Sequence, residues 1–392
     1  MRTLFVIFCL SFVQSVVVAR PAEAQQTITD VLSFLLTNRS IPTDDFVHDE
    51  QAAIATSNTI ANLFVLDLAS LPSSSAAGFS YRLDPALGTP VRSTESFGPI
   101  FTQRSLLAGQ NHASFGVSYR STNFTNIDGR SLRDGTLLST AAILRGDAAP
   151  FDIETVSLRI RTDSMTFTGS YGITDRLDIS AGIPFVHLSL QGERVDTYRG
   201  RRLVQARGTA SASGFGDVIV RSRYNVLTEG ASGVAVGAEV RLPTGSAENL
   251  LGAGELAFTP VVIGSVERDR IGVHGDFGYS FDKVSNALAY SAAVTVAAAP
   301  RVTVIGELLG RRLEGLGRLI ETVQPHPRLA GVDTIRLTSS GEATNRLMAV
   351  AGFKWNVAST WLMTASVLRS ITSVGLNADY VPTITFDGWF GK

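Results

Sequence analysis

Hydrophobic and polar residues alternate with a period of two along most of the chain, and residues 270–282, RIGVHGDFGYSFD, carry the pattern most fully. Ile271, Val273, Phe277, Tyr279 and Phe281 share one face with Gly275, while Gly272, His274, Asp276, Gly278, Ser280 and Asp282 share the other. Successive side chains of a strand point to opposite sides, so a strand of this composition has one apolar and one polar face. Similar alternation predicts strands near 79–87, 95–106, 112–124, 153–172, 177–191, 213–226, 233–243, 255–267, 270–282, 287–299, 301–313, 345–357, 361–371 and 378–390.

The connections alternate as well. They are tight at 174–176, 268–269, Pro300 and 358–360, and long and polar at 125–152, 192–212, 244–254 and 314–344. Short turns at one end, long loops at the other and an even strand number are the pattern of bacterial outer-membrane barrels. The expected fold is therefore all-β: a transmembrane antiparallel β-barrel of about fourteen strands over 79–392.

Val156, Leu158 and Ile160, then Leu177, Ile179, Ala181, Ile183 and Phe185, are expected to touch lipid. So are Val234, Val236, Ala238, Val240 and Leu242, and Leu347, Ala349, Ala351, Phe353, Trp355 and Val357. Charges interleaved with them fix the register, because one charge turned to the bilayer midplane costs about 2–4 kcal/mol. On that register Arg159, Arg161, Asp217, Arg221, Arg223, Glu239, Arg241, His274, Asp276, Glu307 and Arg311 are expected to line the lumen and screen permeants by charge. Mutual neutralisation across the lumen is the alternative reading of the same set. Tyr171, Tyr224, Trp355 and Trp361, with Trp389 and Phe390 on the closing strand, are expected to form an aromatic girdle at the periplasmic interface.

The amino-terminal region reads differently. Arg2, the apolar run Leu4 to Val18 and Ala22-Glu23-Ala24 form a secretory signal peptide over 1–24, which places the protein in the outer membrane and gives it the insertion machinery and outer-membrane lipid as partners. Residues 25–78 show helical spacing at Ile28, Val31, Leu32, Leu35 and Leu36 and again at Ile54, Ala61, Phe64, Val65 and Leu68. This segment has six acids against one base, whereas 79–392 has 31 bases and 28 acids. Opposite signs allow it to dock in the barrel as a plug; a periplasmic segment is the alternative.

Composition removes several functions. The single cysteine, Cys9, lies in the signal peptide, so no disulfide or thiolate chemistry follows from the rest. A net charge of −1 gives no support to a nucleic-acid partner. The five histidines show no metal-ligand spacing, and no metal or other cofactor is expected. His187 with Ser189, or His274 with Asp276, could be an enzyme's pair, but neither has a third member or an oxyanion donor, so catalytic residues are not expected.

Three stretches carry a resemblance. YGITDRLDISAGIPFV at 171–186, GFGDVIVRSRY at 214–224 and EVRLPTG at 239–245 with Asn249-Leu250-Leu251-Gly252 resemble the outer-membrane phenol-degradation meta-pathway transporter family, itself similar to the long-chain fatty acid channel group. The resemblance implies a passive channel for small, hydrophobic or aromatic molecules. A surface adhesion or ligand-binding barrel acting through its long loops is the competing function.

Overall fold

The computed structural model describes residues 26–37, 49–69, 81–84, 89–92, 94–283, 285–315, 317–358 and 360–390. The expected signal peptide at 1–24 lies outside them, as do Asp44 and Asp45. Among the described residues two helices come first, α1 (Ile28–Leu36) and α2 (Glu50–Ala69). They are followed by β1 (Tyr81–Asp84), β2 (Thr89–Arg92), β3 (Ala113–Ile127), β4 (Arg130–Ser131), β5 (Leu137–Leu144), β6 (Asp152–Thr174) and β7 (Leu177–Tyr198). Next come β8 (Arg201–Phe215), β9 (Val218–Glu229), β10 (Ser232–Leu242), β11 (Ala257–Arg268), β12 (Ile271–Asp282), β13 (Ala287–Ala299) and β14 (Val302–Leu313). The last are β15 (Leu319–Pro325), β16 (Val332–Ser339), β17 (Thr344–Ala358), β18 (Trp361–Ser370), β19 (Leu376–Ala378) and β20 (Val381–Phe390).

Twelve antiparallel strands close the barrel: β3, β6, β7, β9 to β14, β17, β18 and β20, with β20 returning to β3 from Thr383↔Arg120 to Phe390↔Ala113. Strand β8 continues the line of β9, since β7 pairs with β9 over Leu177–Gly182 and with β8 over Phe185–Tyr198. Closure leaves no open edge in the hydrocarbon layer, where an unpaired backbone group would cost several kcal/mol, roughly.

Two of the fourteen expected strands are not staves. Part of 79–87 forms β1, which pairs only with β2. The 95–106 stretch is not a strand; Gly98, at φ 68°, and Pro99 break its ladder, and it lies inside the barrel.

Along β11 and β12 the apolar face points outward. Val262, Val266, Val273, Phe277 and Phe281 are each more than half exposed, while His274 and Asp282 are buried inside. In a bilayer this face is solvated by acyl chains. No helix among the described residues is long and apolar enough to cross a membrane, so strands do the crossing.

Strand β6 reverses this chemistry partway along without changing register. Its even-numbered residues face inward throughout: Thr168 and Ser170 near the short-turn end, then Ile160, Leu158 and Val156. Outward lie Tyr171 and Phe167, then Asp163, Arg161 and Arg159. The expected lipid contacts Val156, Leu158 and Ile160 are thus corrected: they are 0%, 0% and 3% exposed and belong to an interior cluster. Arg159 and Arg161, expected in the lumen, stand on the outer surface. This half of the strand rises past the bilayer, where water rather than lipid bathes the exterior and the apolar side turns inward.

The interior of that extension holds the helices. A capping box starts α1: Thr27 Oγ1 accepts the Asp30 N–H at 3.1 Å and Asp30 Oδ2 accepts the Thr27 N–H at 3.1 Å. Its buried stripe Ile28, Val31, Leu32, Leu35 and Leu36 packs on β7 and β8. The docking groove is a facing glycine pair, Gly192↔Gly208. A Cβ on Gly192 would stand 2.5 Å from Leu35 Cδ1, and one on Gly208 would stand 2.8 Å from Val31 Cγ1. Helix α2 packs on β5 and β16, and Thr56 Oγ1 donates to Ser139 O at 3.0 Å and accepts the Leu337 N–H at 3.1 Å. Leucine at position 208 is expected to lift α1 at a cost of about 1–3 kcal/mol for the overpacking while leaving the staves paired. Hydrogen exchange over 28–36 checks this: faster exchange there with unchanged protection in β11 and β12 is the expected result.

Candidate functional site: the lumen and the segment that crosses it

The short-turn half of the barrel has a polar interior, because lipid takes the alternate side chains. Residues 96–105 thread this space and are held mainly through their main chain. Glu307 accepts N–H groups from Phe101 at 3.0 Å and Thr102 at 3.1 Å, and also that of Ile100. Asp276 accepts the Gln103 N–H at 2.7 Å, Ser265 Oγ that of Ser105 at 3.0 Å, and Thr303 Oγ1 that of Phe97 at 3.0 Å. Four carbonyls are held as well. Lys354 Nζ donates to Phe97 O at 3.2 Å and to Pro99 O, Arg223 Nη1 to Arg104 O at 3.1 Å, and Asn225 Nδ2 to Ser105 O at 3.1 Å.

One side-chain ion pair completes the attachment. Arg104 Nη2 lies 2.7 Å from Glu267 Oε1, with both groups almost wholly buried. Glu267 Oε2 accepts from Ser96 Oγ at 2.9 Å, and His274 Nε2 is 3.8 Å from the same Oε1 that Arg104 approaches. Losing one partner of such a buried pair costs about 3–5 kcal/mol, because the remaining charge has no water to turn to.

The residues singled out by sequence fall into distinct groups. Arg221 and Glu239 pair at 2.6 Å across neighbouring strands. Arg223 is bidentate to Asp178, at 3.1 Å and 2.5 Å. Arg241 bonds to Asp282 and lies 3.7 Å from Asp217. Asp217 is also tied to the 244–254 loop, accepting the Gly245 N–H at 3.0 Å and the Ala253 N–H at 2.7 Å. His274 and Asp276 do not pair: His274 Nδ1 meets Ser265 Oγ at 3.0 Å, and Asp276 takes a bond from Ser291 Oγ at 2.5 Å. His187 is on the outer surface against Ser213 Oγ at 2.7 Å.

In the expected girdle, Tyr171, Tyr224, Trp355, Trp361 and Phe390 are exposed on the outside near the short-turn end. Trp389 is corrected: it faces inward, stacked on His112 with ring centroids 4.7 Å apart and packed against Phe97 and Leu362. The alternation on β20 requires this, since Phe390 and Trp389 are adjacent and only one can face lipid. Glu267, Asn225 and Lys354 hold the threaded segment but were not among the expected lumen residues. Their inward phase was readable; the partner they bind was not.

Beside the segment a cavity of about 210 Å³ remains, between Phe101 and Gln103 on one side and the wall of β9 to β14 and β17 on the other. Arg221, Glu239, Arg241, Asp276 and Arg311 supply its polar lining, and Leu309 and Met348 an apolar patch. The site can therefore contact both the ring and the polar substituent of a small amphipathic molecule.

A closed antiparallel barrel, apolar outside in one band and polar within, with its lumen crossed by a bound peptide segment, is an outer-membrane β-barrel. Residues 134–313 match the family model described as putative MetA-pathway of phenol degradation, the family that the three sequence stretches resemble. Among solved structures, an outer-membrane channel from Pseudomonas putida F1 is similar at 13% identity, over 71% of this chain and 95% of that one, with a TM-score of 0.43. The toluene transporter TbuX of Ralstonia pickettii aligns at 10% identity over 83% and 100% of the two chains, with a TM-score of 0.30. A FadL homologue from Pseudomonas aeruginosa aligns at 8% identity over 73% and 91%, with a TM-score of 0.32. No curated protein matches the chain.

Proposed function

We propose that the protein is a passive outer-membrane channel for small hydrophobic or aromatic molecules, and that residues 96–105 and helices α1 and α2 restrict its path. The observation that carries this reading is the threaded segment: it crosses the lumen on wall hydrogen bonds and has a cavity of about 210 Å³ beside it. Arg221, Glu239, Arg241, Asp276 and Arg311 line the route at that constriction, where the permeant exchanges water for the cavity wall. The matched family and the toluene transporter named above support an aromatic class of permeant. Insertion machinery acts on the chain during assembly, with the closing strand as its contact.

Liposome swelling tests the reading. Proteoliposomes of the full chain should admit small aromatic acids several-fold faster than sugars of similar mass. Equal rates for both solute classes, or rates no higher than in protein-free vesicles, would defeat the proposal.

A further inference from the structure

The outer surface of the barrel carries a cluster of guanidinium groups that the channel reading does not use. On β6, β8 and the 131–136 turn, Arg133, Arg159, Arg161 and Arg207 face outward around two adjoining depressions of about 500 Å³ each, which share Arg133, Arg159, Gln191 and Thr209. Only two carboxylates are paired there: Asp163 with Arg161 at 2.8 Å, and Glu193 with Arg207 at 2.7 Å. Among the described residues, Arg159 has no carboxylate in ion-pair reach, and Arg133 Nη2 donates to the Phe124 carbonyl at 3.4 Å. The groove therefore has an excess of two positive charges, with Arg159, Arg161 and Arg207 held on strands and Arg133 on the short turn between β4 and β5.

Its height on the barrel selects the ligand. Directly below, the same strands turn apolar, with Phe167, Phe185 and Phe215 facing outward, the last two in edge-to-face contact at 5.7 Å. The boundary is marked by Tyr119, whose ring lies outward and whose Oη donates to Asp163 at 2.9 Å. An amphipathic ring of this kind sits at headgroup level. Guanidinium groups just above it meet what the outer leaflet displays at that depth, and planar forked donors match phosphate. The end with long loops faces the exterior in barrels of this type, so the leaflet concerned is the outer one.

We propose that this groove is a binding site for a phosphorylated glycolipid of the outer leaflet, of the lipopolysaccharide class, with Arg133 and Arg159 taking a phosphate and the aromatic patch below receiving acyl chains. The site lies on the outer surface just above the barrel's lipid-facing band and does not depend on what the lumen passes.

Native mass spectrometry of the full-length protein in detergent tests it, with purified bisphosphorylated lipid A as the probe and its dephosphorylated form as the control. The phosphorylated lipid should bind at least tenfold more tightly. Arg133→Ser and Arg159→Ser should each weaken it roughly fivefold, as expected when one basic group leaves a charged membrane surface. Arg133→Lys and Arg159→Lys should retain most of the affinity, which keeps the test valid if a serine variant folds poorly. Equal binding of the two lipids, or a double serine variant with unchanged affinity, would overturn the proposal. Displacement by inorganic phosphate alone at millimolar concentration would overturn it too, since it would reveal a simple anion site.

Discussion

Alanine at position 307 is expected to open the lumen. The Glu307 carboxylate is the acceptor for three consecutive backbone N–H groups, those of Ile100, Phe101 and Thr102. Truncation leaves these donors buried without their acceptor, at a cost of about 1–3 kcal/mol for each group that finds no new partner. Even one such loss shifts the balance between seated and released segment by roughly 5- to 150-fold. Planar-bilayer recordings should therefore show a larger unitary conductance, or a higher open fraction, in Glu307→Ala than in the parent. Lys354→Met should act in the same direction through the carbonyls of Phe97 and Pro99. Conductance unchanged in both variants would mean that the segment does not limit flow.

The second large effect concerns the outer wall. Phe277 is 54% exposed, lies midway along β12 and is paired with Val262, itself 53% exposed. Phe277→Arg should destabilise the folded barrel by about 2–4 kcal/mol, the cost of a guanidinium near the bilayer midplane. Thr209→Arg, equally outward but above the aromatic boundary, should stay within about 0.5 kcal/mol of the parent. Urea titrations in lipid vesicles, followed by heat-modifiable gel mobility, give both values. Equal stability of the two variants would place the lipid band elsewhere on the wall.

The staves were legible because lipid and a wet lumen impose opposite chemistry on neighbouring residues, so 270–282 could be phased from its side chains alone. What alternation cannot report is the medium beyond each face. On β6 the period continues unbroken from Tyr171 to Val156, while the outward set changes from aromatic to basic. A reading that assumes lipid along the whole strand therefore turns Arg159 inward, although the backbone never shifts. Residues 95–106 misled for a related reason. Phe97, Ile100 and Phe101 are apolar because they are buried within the lumen, and apolar spacing there resembles that of a stave.

The helices were legible for the opposite reason. The stripe in α1 has a clear 3.6-residue period, while the capping box of Thr27 and Asp30 that frames its start emerged with the structure. Its seat was not, because a glycine pair such as Gly192 and Gly208 gains meaning only when two strands bring it into register. Among the lumen charges, position could be read from phase, but partnership could not. Arg223 and Asp178 are 45 positions apart, and Glu307 binds atoms 205 to 207 positions away that carry no side-chain signature.

The wall grips its guest by amide hydrogens, which every residue except proline supplies in the same form, and by carbonyl oxygens, which every residue supplies, Pro99 included. The occupant's side chains are consequently spared from polar anchoring at most positions, Ser96, Thr102 and Arg104 being the exceptions. The side chain of Gln103 lines the cavity while its main-chain N–H holds the wall, so its exchange is expected to alter what the constriction admits without loosening the grip, which makes selectivity and retention in this pore separable traits.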